Sequence, residues 1–230
     1  MLRAQCLKKK LAFSHVMEVG VYYPETSNIL GFIDDGIRAS LVEPDPLCLE
    51  KIRKYFVDKR NVKVIPWAVW EKEEDIEMFR ANASTFIGSI AGSPAVVNDG
   101  YAYDEKDRFV AHGKPFGRVD DGTIDLLSVD IEGAEWLVVK NMTSRPKVIA
   151  LEMQAGTYVN PKADQIRNWM KDNGYSAWFL DDTDCVYIKK GAVTFSLLER
   201  AVLSVNNFLT VFNHVLQRIK RRFRKGRNTQ

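Results

Sequence analysis

The sequence predicts an α/β fold: a doubly wound, mostly parallel sheet with helices on both faces and an antiparallel hairpin at one edge. Three observations predict it. Short apolar runs alternate with helically periodic segments from "HVMEVG" (15–20) to "PKADQIRNWMKDNG" (161–174), the pattern of strand–helix–strand units joined by right-handed crossovers. The first run breaks at Gly20 and resumes as something helical. The last two runs, "YSAWFLDD" and "CVYIKKG", sit close enough to pair as a hairpin.

"HVMEVG" reads as the first strand and "TSNILGFIDDG" as a helix opened by Thr26 or Ser27 and stopped near Gly36. "RASLVEPD" is a second buried strand. Pro46 suits the first turn of the next helix, in which Leu49, Ile52, Tyr55 and Phe56 fall at helical spacing. "NVKVIPWAVW" is a third strand with Pro66 late in it, and "DIEMFR" alternates like a short extra strand. Residues 81–123, rich in Gly, Ser and Asp, read as irregular. "IDLLSVDIEG", "AEWLVVKNM" and "PKVIALEM" restore the strand–helix–strand rhythm, and Gly174 stops the helix that begins near Pro161.

Residues 1–191 are read as one domain and 192–230 as a long amphipathic helix with a basic tail. Phe195, Leu198, Val202, Val205, Leu209, Phe212, Leu216, Ile219 and Phe223 line one side of that helix. With 46% hydrophobic and 27% charged residues in 230, the chain suits a globular fold with a buried core. The net charge of +3 hides an asymmetry. Seven of the 33 basic residues lie from Arg218 onward with no acid among them, which leaves 26 basic against 30 acidic residues in the rest. A mildly acidic body argues against specific nucleic-acid binding, while the tail suits anionic surfaces. Cys6, Cys48 and Cys185 are widely spaced, which excludes a CxxC zinc site and fits a reducing compartment. The expected location is cytoplasmic, with peripheral membrane contact or self-association through the C-terminal helix as options.

In a doubly wound sheet, ligands sit at the carboxyl ends of the strands where strand order switches. Glu18, Glu43 and Asp130 fall at three such ends. Glu43 stands 25 residues after Glu18, near the roughly 20-residue offset at which an acid takes a ribose hydroxyl. The loop "GVYYPETS" lacks a second glycine, and Pro24 stands about where it belongs. A pyrophosphate needs that glycine for close backbone approach; a nucleoside without phosphate does not. Glu18 would repel phosphate and favours a cation such as an ammonium or sulfonium. The residues therefore describe a nucleoside with a positively charged, amino-acid-like end, which is S-adenosylmethionine.

"LVEPDPLCLEKIRKYF", "NVKVIPWAVWEKEEDIEMF" and above all "IDLLSVDIEGAEWLVVKNM…PKVIALEM" resemble the FkbM family of S-adenosylmethionine-dependent methyltransferases, from about Val16 to Met153. The resemblance implies a class I methyltransferase fold, Rossmann-like, and O-methylation of sugars or hydroxylated natural products. By the same resemblance Glu18 and Gly20 match the first cofactor motif, where the family usually has Asp and a second glycine near Pro24. Glu43, followed by Pro44, matches the ribose-binding acid, and Ala68 and Val69 match the turn near the adenine. Asp130, Glu132 and Glu135 match the "DxEGxE" signature, and Glu152 matches an acid often found after the next strand.

Transfer to a hydroxyl needs a group to take its proton. Asp130 is the expected base, with Glu132 and Glu152 assisting. Alternatively, the acids hold a divalent cation, magnesium or calcium given all-oxygen ligands, with Asp130 and Glu132 as ligands. Against these roles, Glu132 and Glu135 also suit the positive N-terminus of a helix. His112, in "VAHGKPFG", reads as a surface histidine in a Gly-rich loop, and His15 and His214 as structural. Trp67 and Trp70 either border the adenine or pack in the core. Two rival functions stand beside methyl transfer: a catalytically silent Rossmann-like scaffold, and a nicotinamide-dependent oxidoreductase, for which the phosphate-binding glycines are missing.

Overall fold

The computed structural model describes residues 1–81, 84–90, 93, 96–97, 101, 104–155, 158–181 and 183–205. Five parallel strands form most of a seven-stranded sheet: β1 (His15–Val19), β2 (Arg38–Val42), β3 (Val62–Ile65), β8 (Leu126–Val129) and β9 (Val148–Glu152). After the short strands β10 (Gln154–Ala155) and β11 (Tyr158–Val159), β12 (Tyr175–Asp181) and β13 (Asp184–Lys189) complete it as the expected antiparallel hairpin, giving the order β12-β13-β9-β8-β1-β2-β3. The chain steps outward from β1 through β2 to β3, then returns to the other side of β1 with β8. The switch point therefore lies between β1 and β8.

The sheet is buried on both faces, so its strands read as near-continuous apolar runs. Alternate residues supply two cores. Val16, Ala39, Leu41, Leu126 and Val148 face Ile29, Phe32, Ile33 and Ile52, from α2 (Leu30–Asp34), its preceding turn and α3 (Pro46–Tyr55). Met17, Val19, Leu127, Val129, Ile149 and Leu151 face Val138 and Val139 of α4 (Glu135–Lys140), and Ile166 and Met170 of α5 (Ala163–Asp172). Pro46 opens α3 as expected, and Asp45 caps it by accepting the Leu47 N–H at 2.8 Å.

Four local readings change. Residues 2–8 form a helix, α1, which buries only Leu2 and Cys6, too faint a stripe to stand out in sequence. The helix expected from Thr26 or Ser27 begins at Leu30, after a 3₁₀ turn at Pro24–Thr26, because Ser27 is drawn to Glu18 instead of capping. "NVKVIPWAVW" is two strands, since Pro66 cannot donate to a ladder. β3 ends at Ile65, and β4 (Ala68–Val69) joins another sheet.

The largest change is within 81–123, where described residues form strands, while the expected short strand "DIEMFR" lies in a longer one, Glu74–Ala81. β4, β5 (Glu74–Ala81), β6 (Ser84–Ile87) and β7 (Arg108–Lys114) form a second sheet in the order β4-β7-β5-β6. Its inner face adds Ile76, Met78 and Ala111 to the α4/α5-side core. His112 lies in β7, not in a loop, and its exposed ring meets Asp75 at 3.0 Å. His15 is buried between Thr123 and Ser40, with a hydroxyl 2.9 Å from each ring nitrogen. His214 lies outside the described residues.

Residues 197–205 are helical and settle on the α1 side, with Phe195 and Leu203 against the core and Glu199 paired with Lys9. Leu198, Val202 and Val205, on the predicted apolar side, are exposed here. The remainder of the expected long helix and basic tail, residues 206–230, lies outside the described residues. No helix among the described residues is long and apolar enough to cross a membrane.

Candidate active site

A cavity of about 430 Å³ opens at the carboxyl ends of β1, β2 and β8. Glu18, Gly20, Glu43, Pro44, Ala68, Val69, Asp130 and Glu132 all line it, with Trp67 beside Ala68. Six carboxylates lie in the lining: Glu18, Glu43, Asp130, Glu132, Asp181 and Asp184. No lysine, arginine or histidine does, among the described residues; the one cation given there is the Met1 ammonium, paired with Asp181 at 3.4 Å.

The loop after β1 is held open by carboxylates. Gly20 has φ +83°, and a β-carbon there would fall 1.7 Å from the Asp130 carbonyl oxygen, so only glycine fits. Tyr22 follows with φ +54°, a conformation costly for a bulky residue. It is kept there by Glu43, whose Oε2 accepts the N–H groups of Val21 (3.1 Å) and Tyr22 (2.8 Å). Glu43 Oε1 accepts the Asp45 N–H at 2.9 Å. A carboxylate has about four acceptor positions. Three are taken, so Glu43 keeps one for a ribose hydroxyl instead of the two a vicinal diol would use. Burial pushes its pKa up to about 6 against these hydrogen bonds.

Glu18 is spent in the same way, accepting the Asn28 N–H at 2.9 Å and the Ser27 hydroxyl. Burial outweighs both bonds and lifts its pKa to about 8. Asn28 turns its amide toward Ser128 Oγ (3.1 Å) and Asp184 (3.4 Å), tying the loop to β8 and β13.

A second group of acids crowds around β8. Carboxylate oxygens of Asp130, Glu135 and Glu152 all lie within 4.8 Å of one another; Glu132 is not in that trio. Asp130 opens to solvent inside the cavity, while Glu135 and Glu152 are buried behind it. Glu135, the first residue of α4, accepts the N–H groups of Ile131 and Gly133 (3.1 Å each) and the Asn160 amide. These bonds close the turn in which Glu132 takes φ +56°. Glu135 thus does what a helix-start acid does and also joins the cluster. Burial raises it to about 7.

Glu152 is raised by burial and then by the neighbouring charge of Asp130, and it is hydrogen-bonded to Asp130. Two touching carboxylates cannot both ionise at little cost, so the pair shares a proton. Asp184 is raised to about 7 by burial, then by Asp130 and Asp181.

The description "Methyltransferase FkbM domain" matches residues 18–177, from the end of β1 into β12. The chain belongs to the FkbM methyltransferase family. The activity that goes with it is S-adenosylmethionine-dependent methyl transfer. No curated protein matches the chain.

Among solved structures, a precorrin-6y C5,15-methyltransferase from Geobacter metallireducens is similar at 15% identity and TM-score 0.38, over 81% of this chain and 84% of that one. Fibrillarin from Aeropyrum pernix, solved with natively bound S-adenosyl-L-methionine, gives 15% identity and TM-score 0.42 over 81% and 73%. Fibrillarin from Methanococcus jannaschii gives 12% and 0.40 over 83% and 75%.

The residues of this FkbM domain fit the cofactor. A cavity of a few hundred Å³ suits a nucleoside-sized ligand. Its acids suit a cationic end, and Trp67, Met78 and Phe86 give apolar lining for a base. Sequence reading missed Asn28, Asp181 and Asp184, which reach the cavity from a turn and from the hairpin. It also missed Asp45, whose buried carboxylate grips Arg80 of β5 at 2.7 and 2.9 Å and ties the second sheet to the cavity rim. Only the "EPD" context of Asp45 offered a signal.

Proposed function

We propose that this FkbM domain transfers a methyl group to a hydroxyl oxygen, with a sugar or glycan as the acceptor class. The observation that carries the reading is a cavity at the switch point lined by six carboxylates and no basic side chain. Phosphate recognition, as in a nicotinamide dinucleotide, would set anions against those acids. A zwitterion with a sulfonium, beside a neutral polyol, does not.

S-adenosylmethionine, bound here, supplies a methyl group on a positively charged sulfur. The chain's own part is to position the acceptor and take its proton. Asp130 is the base: it opens into the cavity, and its backbone is fixed by its N–H bond to the Val19 carbonyl at 2.9 Å. Desolvation raises Asp130 toward the neutral range, where a base is effective, and Glu152 acts through it by holding the shared proton. Glu132 lines the acceptor side. Glu43 takes one ribose hydroxyl, Glu18 fixes the loop beside the cationic end, and Gly20, Pro44, Ala68 and Val69 shape the walls.

The test is transfer of tritium from methyl-labelled S-adenosylmethionine into a panel of neutral oligosaccharides, with mass spectrometry to place the methyl. Base-stable label on oxygen is expected, and Asp130→Asn should abolish it. Label on nitrogen or carbon, or none on any acceptor from a chain that binds the cofactor, would overturn the reading.

A further inference from the structure

We infer that Asp130, Glu135 and Glu152 form a binding site for one divalent cation of the calcium, magnesium or manganese class. The three side chains come from different elements: the end of β8, the start of α4 and the end of β9. Each offers a carboxylate oxygen, and the three oxygens lie within 4.8 Å of one another. Oxygen ligands at about 2.1–2.6 Å from a shared ion are separated by no more than about twice that distance, so the spacing is that of a coordination shell. Oxygen-only donors select hard cations over zinc or copper.

Spacing alone would describe any acidic cluster. The second observation is Glu152 Oε2, which has no hydrogen-bond partner although the residue is only 6% exposed. An unpartnered buried carboxylate oxygen is costly, and beside Asp130 and Glu135 a cation that displaces the proton shared with Asp130 is the partner that satisfies it.

Glu135 is oriented before any ion arrives. Its bonds from Ile131 and Gly133 to Oε1 and from Asn160 to Oε2 fix the carboxylate and leave one acceptor position, on Oε2. Such fixing of a ligand by its neighbours is what tunes metal sites. Asp130 also opens into the cavity. An acceptor hydroxyl on the ion would give up its proton to the Asp130 carboxylate more readily. This use of the ion rests on the methyl-transfer reading; its binding does not.

The experiment counts bound metal without turnover. The chelator-treated full chain is dialysed against about 1 mM free Mn²⁺, and bound ion is read by elemental analysis and electron paramagnetic resonance. S-adenosylhomocysteine binding is measured on the same sample to report separately on the methyltransferase reading. One Mn²⁺ per chain is expected, displaced by Ca²⁺ and weakened about 10–100-fold by Glu152→Gln. Glu132→Gln, outside the trio, should retain it. If Glu152→Gln fails to fold, Asp130→Asn takes its place. No bound ion, or an ion that survives substitution in the trio, would overturn the site.

Discussion

The two groups of carboxylates at the cavity show how one residue type takes opposite tasks. Glu18 and Glu43 are spent on the chain itself, accepting N–H groups of the loop they hold. Asp130, Glu152 and Asp184 are raised first by burial, and Glu152 and Asp184 further by neighbouring carboxylates. The first group fixes shape, and the second stores proton affinity beside the point where an acceptor must lose a proton. Glu135 bridges them, closing the turn behind Glu132 while standing in the crowded trio.

The division predicts different failures. Asp130→Asn should show the largest effect, a fall in turnover of at least about 10²–10⁴-fold with S-adenosylhomocysteine affinity nearly intact. Steady-state kinetics beside calorimetry check it, and an equal loss of binding would place Asp130 with the shape-fixing group. Glu43→Ala should do the reverse to the fold, leaving three N–H groups without their acceptor. A stability loss of about 2–4 kcal/mol, read by urea unfolding, should accompany weaker cofactor binding. Unchanged stability would remove the stapling role.

pH sharpens the contrast next. Glu18 at about 8, and Glu135 and Asp184 at about 7, are higher than in an unfolded chain. The folded state therefore holds more protons than the unfolded one above about pH 4.5. The stability present at low pH should decline as pH rises, with the part carried by these three groups lost above about 8, at about 1.4 kcal/mol per unit of displacement. A lower melting temperature at pH 8.5 than at 5.5 is expected, and the difference should shrink in Glu18→Gln. The smallest effect belongs to His112→Ala. The ring is exposed and its partners are the exposed Asp75 and the surface Glu73, so neither melting temperature nor turnover should move.

Legibility in the sequence followed burial. β1, β2, β8 and β9 are covered on both faces, so "HVMEV" and "LLSV" announce themselves as apolar runs, and the acids at their ends, Glu18, Glu43 and Asp130, could be placed at the switch point. β7 buries only Ala111 and Gly113 and turns Arg108, Val110 and His112 outward, so its sequence looks like a loop. Asp184 was equally hidden. Nothing near it in the chain shows that β13 comes back beside β9 and brings it to the cavity. The saturation of Glu43 by the loop depends on the unusual backbone of Tyr22, which no pattern of residue types encodes.

The central claim is that the cavity between β1, β2 and β8 takes a phosphate-free nucleoside with a cationic end. Calorimetric titration of the purified chain with S-adenosylhomocysteine, beside NAD and with Glu43→Ala as a control, tests it most directly. The account predicts micromolar binding of S-adenosylhomocysteine, weakened in the variant, and no heat with NAD. A folded chain that ignores S-adenosylhomocysteine would contradict it and favour a silent scaffold, and binding of NAD would contradict it in favour of an oxidoreductase.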